Sequence, residues 1–471
     1  MMEQELEKIT DQLQYKQKIL SSPYYKYQKL PPQSAASVQI SATGGNDTVF
    51  ECPVKVFNLS RSWLEFVLNP TAAPALNYNY MHLGVLSPWQ QIQVISKTTG
   101  KILLDISNFQ MFSKLMFQAE VTQEEFNNQD TGFDSNSIVS FLRPNLSPNL
   151  AATPTISFTV KGQFGLRAAD GSLPAVYFKE ASYCELGTVA TATPIFTCKV
   201  PLGLIKESIL EVDKDLFFND VLQIRFVWGA HYKVGWMSTS ATDPTNGATP
   251  VALAGPINVS SLSLYLAVEQ NEAIANEIKN TVLTQGLRIP IAYPTSIRNV
   301  ITNNTQHTVT ILMNQTHGTR LLKIYHTMLT LNGGSNPTEQ YYTAYNISLA
   351  SNVYANGSYF YCQLDSNRIE DQNVNLSMLE DWMYIQSKLK NSITYDSGVY
   401  RENWFWVEDF STIDSIASNI NENDIRGIDM GNGRRFDFQL NCAGGAVSAI
   451  HYDFVIGQKM LVLTSNGPTL E

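Results

Sequence analysis

The sequence predicts an all-β chain built as two consecutive β-sandwiches with short helices in their loops, and three observations carry that prediction. From about residue 36 onward the chain breaks into short β-branched or alternating runs separated by Gly, Asn, Asp, Ser and Pro, the pattern of sandwich or barrel strands. An all-β sandwich runs to roughly 200–250 residues as one domain, so 471 residues accommodate two large ones. The order of runs in the first half is then repeated in the second.

Before the strands begin, Leu6, Ile9, Leu13 and Leu20 are spaced by three, four and seven with polar residues between them, which is the period of an amphipathic helix. Pro23, Pro31 and Pro32 end it, giving an N-terminal helix and arm over 1–32. An isolated helix of this kind needs a partner surface: a neighbouring subunit, its own sandwich or a membrane interface. Tyr24, Tyr25 and Tyr27 beside Lys26 and Lys29 suit a lipid headgroup layer, although packing on protein is the favoured reading.

The first sandwich is expected over 33–270. Its strands read at 38–40, 49–57, 63–68, 92–95, 102–106, 156–160, 195–200, 222–228 and 262–268. Gly44, Gly45, Asn46 and Asp47 mark one turn, and Thr98, Thr99, Gly100 and Lys101 another. Residues 109–117, rich in Met, Leu and Phe, read as helix. The Ser/Thr/Ala/Pro/Gly stretches 143–155 and 237–257 are longer than loops inside a compact domain usually are and read as surface excursions. A helix-like stretch at 271–280 sits in a connector over 271–290. The second sandwich, 291–471, has strands at 309–313, 321–330, 359–364, 404–407, 436–440, 449–456 and 460–463 and a helix at 378–389.

The repeat is legible in residues. LLDISN at 103–108 precedes the helical stretch of the first half, and QLDSN at 363–367 precedes that of the second. Later, LQIRF at 222–226 followed by VSSLSLYLAV at 259–268 resembles RFDFQL at 435–440 followed by VSAIHYDFV at 447–455. The common order, more than any one match, indicates two copies of one topology differing in loop length.

Charged residues make up 16% of the chain, against roughly 25% in an ordinary soluble domain. Asn, Gln, Ser and Thr take their place, and these lose less on desolvation, which suits surfaces buried against other subunits. A net charge of −10 argues against holding a nucleic-acid backbone over the general surface. Lys8, Lys16, Lys18, Lys26 and Lys29 are interleaved with Glu3, Glu5, Glu7 and Asp11, so the N-terminus is no polybasic arm. It also lacks the basic start and apolar core of a signal peptide, and the expectation is synthesis in the cytoplasm.

Little asks to be an active site. His82, His231, His307, His317, His326 and His451 form no His-Glu-x-x-His pair and no zinc spacing, leaving only a composite site assembled in space as a route to a metal. Cys52, Cys184, Cys198, Cys362 and Cys442 are scattered and read as buried thiols. Gly427, Gly431 and Gly433 before Arg434 and Arg435 lack a phosphate-loop ending and read as a tight turn into a strand. The adjacent acids Glu124/Glu125, Glu380/Asp381 and Glu408/Asp409 do not face each other as glycosidase carboxylates must. Trp404 and Trp406 share one strand face, where a core-facing pair is favoured over a sugar-stacking platform. No catalytic, cofactor or metal-binding residue is expected, and Leu6, Ile9, Leu13 and Leu20 are the candidate contact residues, at an inner face or between subunits.

The segments 317–326 (HGTRLLKIYH), 364–369 (LDSNRI), 434–440 (RRFDFQL) and 449–454 (AIHYDF), in this architecture, resemble the double jelly-roll major capsid proteins of the lineage that includes tectivirus-like phages, adenovirus hexon, virophages, polinton-like viruses and large eukaryotic DNA viruses. The resemblance implies two eight-stranded jelly rolls standing perpendicular to a shell, and three subunits forming a pseudo-hexameric capsomer that tiles an icosahedral capsid around double-stranded DNA. It implies as partners the chain itself as homotrimer, neighbouring capsomers, penton and minor capsid proteins, and an internal viral membrane beneath the N-terminal helix. Sequence-specific nucleic-acid contact is not among them. Residues 129–193 and 231–257 would build outer towers, and the location would be the virion. Two other readings stay open: a carbohydrate-binding or carbohydrate-cleaving β-sandwich, and a tail or receptor-binding viral trimer.

Overall fold

The computed structural model describes residues 24–34, 37–70, 78–82, 88–120, 183–188, 196–230, 235–238, 250–252, 256–331, 353, 355–376, 380–389, 404–411 and 427–471. The expected N-terminal helix with Leu6, Ile9, Leu13 and Leu20 lies outside the described residues, as do the stretch 143–155 and the expected strand at 156–160.

In the first half eight longer strands, with Val38–Ile40 and Leu216–Phe217 as short edge pieces, build two antiparallel sheets: β1 (Tyr25–Leu30), β2 (Asp47–Cys52), β3 (Val56–Pro70), β4 (Trp89–Ser96), β5 (Ile102–Ser107), β6 (Phe196–Pro201), β7 (Leu222–Trp228) and β8 (Ile257–Glu269). One sheet runs β1-β8-β3-β6, with the short strand Leu216–Phe217 sharing the β6 edge of β3, and the other runs β2-β7-β4-β5. In the second half the corresponding strands are β9 (Leu287–Asn304), β10 (Gln306–Met313), β11 (Arg320–Leu331), β12 (Tyr359–Leu364), β13 (Asn367–Arg368), β14 (Phe405–Asp409), β15 (Arg434–Asn441) and β16 (Val447–Thr464), and the short strands Val374–Asn375, Ile428–Asp429 and Gly467–Leu470 pair with β12, β11 and β16. They pair as β9-β16-β11-β14 and β10-β15-β12-β13. Adding eight to each strand of the first pattern gives the second, so the chain is two jelly rolls of one topology.

Helices follow the same rule. Helix α1 (Phe109–Glu120) comes after β5, and α3 (Glu380–Gln386) falls between β13 and β14, the same interval of the second sandwich. Between the sandwiches lies α2 (Glu272–Thr284), started by the Asn271 side chain accepting from the Ala273 N–H and held by Ile274, Ile278 and Val282, buried on one face.

The differences from expectation have local causes. The run 49–57 is two strands because the chain turns at Pro53 to Lys55, where the Lys55 N–H donates to the Pro53 carbonyl. Residues 25–30, grouped above with the arm, form β1 and pair with β8 along their whole length. Strand β9 begins at Leu287, inside the connector segment, and the patterning passes over it because Pro290 and Pro294 interrupt it; an edge strand tolerates proline where a central one does not. The runs 449–456 and 460–463 are one strand, β16, continuous through Gly457. There a Cβ would stand 2.0 Å from the His317 carbonyl oxygen, so glycine marks a close approach and not a turn.

Each sandwich has an aromatic centre. Phe66 meets Trp89 and Trp228 edge-on, both at 5.7 Å, in the first. Phe360 meets Trp404 and Trp406 at 5.7 and 4.7 Å in the second. Connections leaving β3, β5 and β7 emerge at one end of the first sandwich, because neighbouring strands run antiparallel. Strands from those three connections, Tyr78–His82, Tyr183–Thr188 and the pair Gly235–Ser238 and Pro250–Ala252, zip into a further four-stranded sheet there.

Candidate functional site: two equivalent sheet faces

Strand β11 is buried on both faces. Ile324, His326 and Met328 point into their own sandwich, while Lys323 and Tyr325 point out of it. A bulge at Leu322, where Leu321 and Lys323 oppose Gly457 and Ile456, sets this phase. Tyr325 lies opposite Phe454 of β16. Phe112 of α1, from the first sandwich, seats on that pair, 6.5 Å from Tyr325 and 5.3 Å from Phe454 by ring centres.

Charge completes this seam. Lys323 Nζ donates to Glu120 Oε1 at 2.5 Å and to Glu207 Oε1 at 2.7 Å, and the Tyr325 hydroxyl donates to Glu120 Oε1 at 2.8 Å. Asn108 Nδ2 donates to Ser296 Oγ at 2.8 Å beside them. Lys323, Glu120 and Glu207 are all buried. Burial pushes the Glu207 carboxyl up to about 7 against the opposing charge of Lys323, and the nearby Glu120 charge adds to the rise. Two acids share one ammonium, so the cluster favours one extra proton.

The first sandwich carries the same arrangement on its β3–β8 ladder. Trp63 lies opposite Tyr265, as Tyr325 lies opposite Phe454, and the rings stack at 5.1 Å. Arg61 precedes Trp63 by two residues, as Lys323 precedes Tyr325. Here no helix of the described residues covers the rings. Tyr27 packs at 4.4 Å from Trp63 yet stays 46% exposed, and Lys29 and Lys199 stand over Tyr265 and Trp63 at 5.6 and 4.8 Å. Arg61 pairs with Asp213 at 2.8 Å with both side chains about half exposed. The Tyr25 hydroxyl donates to Asp215 at 2.9 Å, and burial raises that carboxyl to about 6.

What would match α1 in the second sandwich is α3. Met383, fourth in α3 as Phe112 is fourth in α1, is 74% exposed, and Tyr384 is 42% exposed. Among the described residues, an exposed apolar knob and a half-buried aromatic, cation-edged face thus lie on opposite sandwiches of one chain.

Two polar clusters lie inside the second sandwich. His307 Nδ1 meets His451 Nε2 at 2.8 Å, His451 Nδ1 meets His326 Nε2 at 3.4 Å, and His326 Nδ1 meets Asp453 Oδ1 at 2.5 Å, all buried. The His307 Nε2 faces two carbonyls, of Asn304 and Val447, at 3.1 Å, and so carries its proton. Following donors along the chain leaves the His326–Asp453 contact with a proton between ring and carboxylate. Burial holds His307 below the ordinary histidine range and His451 well below it. The second cluster is Cys362, Glu370 and Glu408.

The sequence-flagged residues resolve as follows. Trp404 and Trp406 are buried in the core, donating to Asp381 and Glu408, and cannot serve as a sugar platform. Gly433 lies at positive φ in the turn that enters β15. Cys52, Cys362 and Cys442 are buried free thiols. The seam of Lys323, Glu120 and Glu207 and the three core histidines escaped the sequence reading; the signal available was Lys323, His326, His451 and Asp453 inside otherwise apolar strands.

No family model and no curated protein matches the chain. Among solved structures it is similar over nearly its whole length to viral major capsid proteins. A chain of the Sputnik virophage structure matches with 12% identity over 94% of this chain and 89% of that one, at a TM-score of 0.49. The Faustovirus major capsid protein matches with 9% identity over 98% and 99%, at 0.49. The mavirus major capsid protein matches with 10% identity over 94% and 90%, at 0.48. At such identities the likeness concerns chain path, and the strand order above stands without it.

Proposed function

We propose that this chain is the major capsid protein of an icosahedral double-stranded DNA virus, and that three copies form a ring of six jelly rolls. Jelly rolls serve in viral capsid, lectin and cupin domains. The observation that carries the capsid reading is the pairing of one covered face with one equivalent open face. Inside the chain, α1 of the first sandwich caps the β11–β16 face of the second. Repeating that contact between chains sets α3 of one copy on Trp63, Tyr265 and Tyr27 of the next. Such a contact is heterologous, and heterologous contacts close into rings when the rotation permits. Two sandwiches per chain and three chains give six stations for one kind of joint.

The low charge content supports the same reading, since amide and hydroxyl surfaces are cheaper to cover than ionic ones. The acidic balance suits a shell whose genome is condensed by other components. The sequence resemblance adds the wider proposal: capsomers meeting penton and minor capsid proteins, and an N-terminal helix using Leu6, Ile9, Leu13 and Leu20 on the inner side, at a neighbouring subunit or a membrane. A lectin reading lacks a platform in Trp404 and Trp406, which are core residues.

Light scattering coupled to gel filtration tests the proposal. A mass near three times 52.6 kDa that persists on dilution is expected; a monomer that stays monomeric at high concentration overturns it.

A further inference from the structure

At one end of the second sandwich, side chains from both sheets converge. Cys362 projects inward from β12, Glu408 projects inward from β14 of the facing sheet, and Glu370 comes from the bend just after β13. One ligand atom from each lies within 4.8 Å of the other two, and all three residues are buried.

Glu408 is satisfied. Trp406 Nε1 donates to one of its oxygens, and Lys388 Nζ donates to the other at 3.0 Å. Glu370 is not. Its Oε2 accepts the Cys362 N–H at 2.9 Å, while Oε1, in a residue 6% exposed, is buried with no donor and has only the Glu408 carboxylate to bond to, a contact that needs a proton held between the two acids. A buried carboxylate oxygen without a donor is costly and calls for an explanation. Two acids and one lysine leave the cluster short of one positive charge. Burial and the Glu408 charge accordingly raise the Glu370 carboxyl to about 8, and burial holds the Cys362 thiol well above its usual range.

We propose that Cys362, Glu370 and Glu408 form a binding site for a thiophilic divalent cation of the zinc class. One sulfur and two carboxylate oxygens are a donor set that zinc accepts, with bonds of about 2.3 Å to sulfur and about 2.0–2.2 Å to oxygen. Calcium and magnesium prefer six or more oxygens and are poorly served here. The ion supplies the missing charge to Glu370 Oε1, and the Cys362 thiol and the Glu370 carboxyl each give up a proton to solvent as they ligate. The seam around Lys323 has the same charge count but offers no thiol, and its lysine reaches both acids. Because the ligands come from facing sheets and from the bend between β13 and β14, the bound ion ties that end of the sandwich together.

The test uses full-length protein stripped with a chelator and then given Zn2+ or, as a spectroscopic probe, Co2+ alone. Expected are one ion retained per chain through gel filtration and a thiolate-to-cobalt charge-transfer band. Cys362→Ser abolishes the band, Glu370→Gln weakens Zn2+ affinity at least tenfold, and Cys52→Ser, far from the cluster, changes neither. No retained ion in the unmodified protein, or a band that survives Cys362→Ser, overturns the site. If Cys362→Ser does not fold, Glu370→Gln decides on the same titration, and an unchanged affinity overturns the proposal. Trimer formation is not a readout, so this result is independent of the capsid reading.

Discussion

The β11–β16 face of the second sandwich and the β3–β8 face of the first share a ladder, an opposed aromatic pair and a cation two residues ahead of it, yet they have opposite fates. On the second, Phe112 covers the rings and Lys323 is enclosed by Glu120 and Glu207. On the first, Trp63 and Tyr265 stack at the surface, and Arg61 keeps a half-exposed partner in Asp213. On the capsomer reading proposed above, the difference follows from permanence. A face closed once, during folding, can enclose a charged triad: its desolvation is offset by the ions' mutual attraction, and removing one partner is then costly. A face that must stay soluble until a partner arrives keeps its cations hydrated and its rings singly exposed.

The largest effect is expected from the covered face. Lys323→Met leaves two buried carboxylates without their cation and should cost roughly 3–5 kcal/mol, read as a shifted midpoint in urea denaturation; a change below about 0.5 kcal/mol would mean that the seam does not join the sandwiches. The open face should respond in assembly and not in folding. Met383→Glu with Tyr384→Glu is expected to reduce the solution mass threefold while the denaturation midpoint moves by no more than surface substitutions usually do, about 0.5 kcal/mol.

A subtler distinction is pH. The Glu207 carboxyl is raised from 4.5 to about 7 in the folded chain, so between those values the folded state keeps a proton that the unfolded state has released. Stability therefore falls as pH rises through that window. Glu207→Gln should remove this part of the slope, measured as the difference between variant and unmodified protein at pH 4.5 and pH 7.5; an unchanged slope would place the titration elsewhere. The smallest effect is expected for Arg61→Ala. Its ion pair is half exposed, so a loss below about 1 kcal/mol is expected, and a larger one would show that the open face is already structural in the single chain.

Much of this architecture is written in local pattern. β4, β5, β7 and α1 follow their hydrophobic periods closely, and the repeat of β7–β8 in β15–β16 is legible in the residues themselves. β9 was hidden because Pro290 and Pro294 look like strand breakers, and only its edge position makes them harmless. β1 was hidden because a Tyr- and Lys-rich arm gives no sign that its partner lies some 240 residues away. The seam was hidden for the same reason: Lys323 is 203 and 116 residues from Glu120 and Glu207. Its trace was a lysine in a run of Leu, Ile, Tyr and Met, which on a strand buried on both faces must have met an acid somewhere.

The sheet that gathers Tyr78–His82, Tyr183–Thr188, Gly235–Ser238 and Pro250–Ala252 constrains how this end of the molecule can change. Three connections that would otherwise vary independently are tied by backbone pairing, so lengthening one between its paired strand and the sandwich would drag on the other two. The strands Gly235–Ser238 and Pro250–Ala252 are anchored to each other, so an insertion between them leaves the other pairings of this sheet in place. A peptide spliced between those two strands would be carried on a stem braced by backbone pairing to the rest of the sheet.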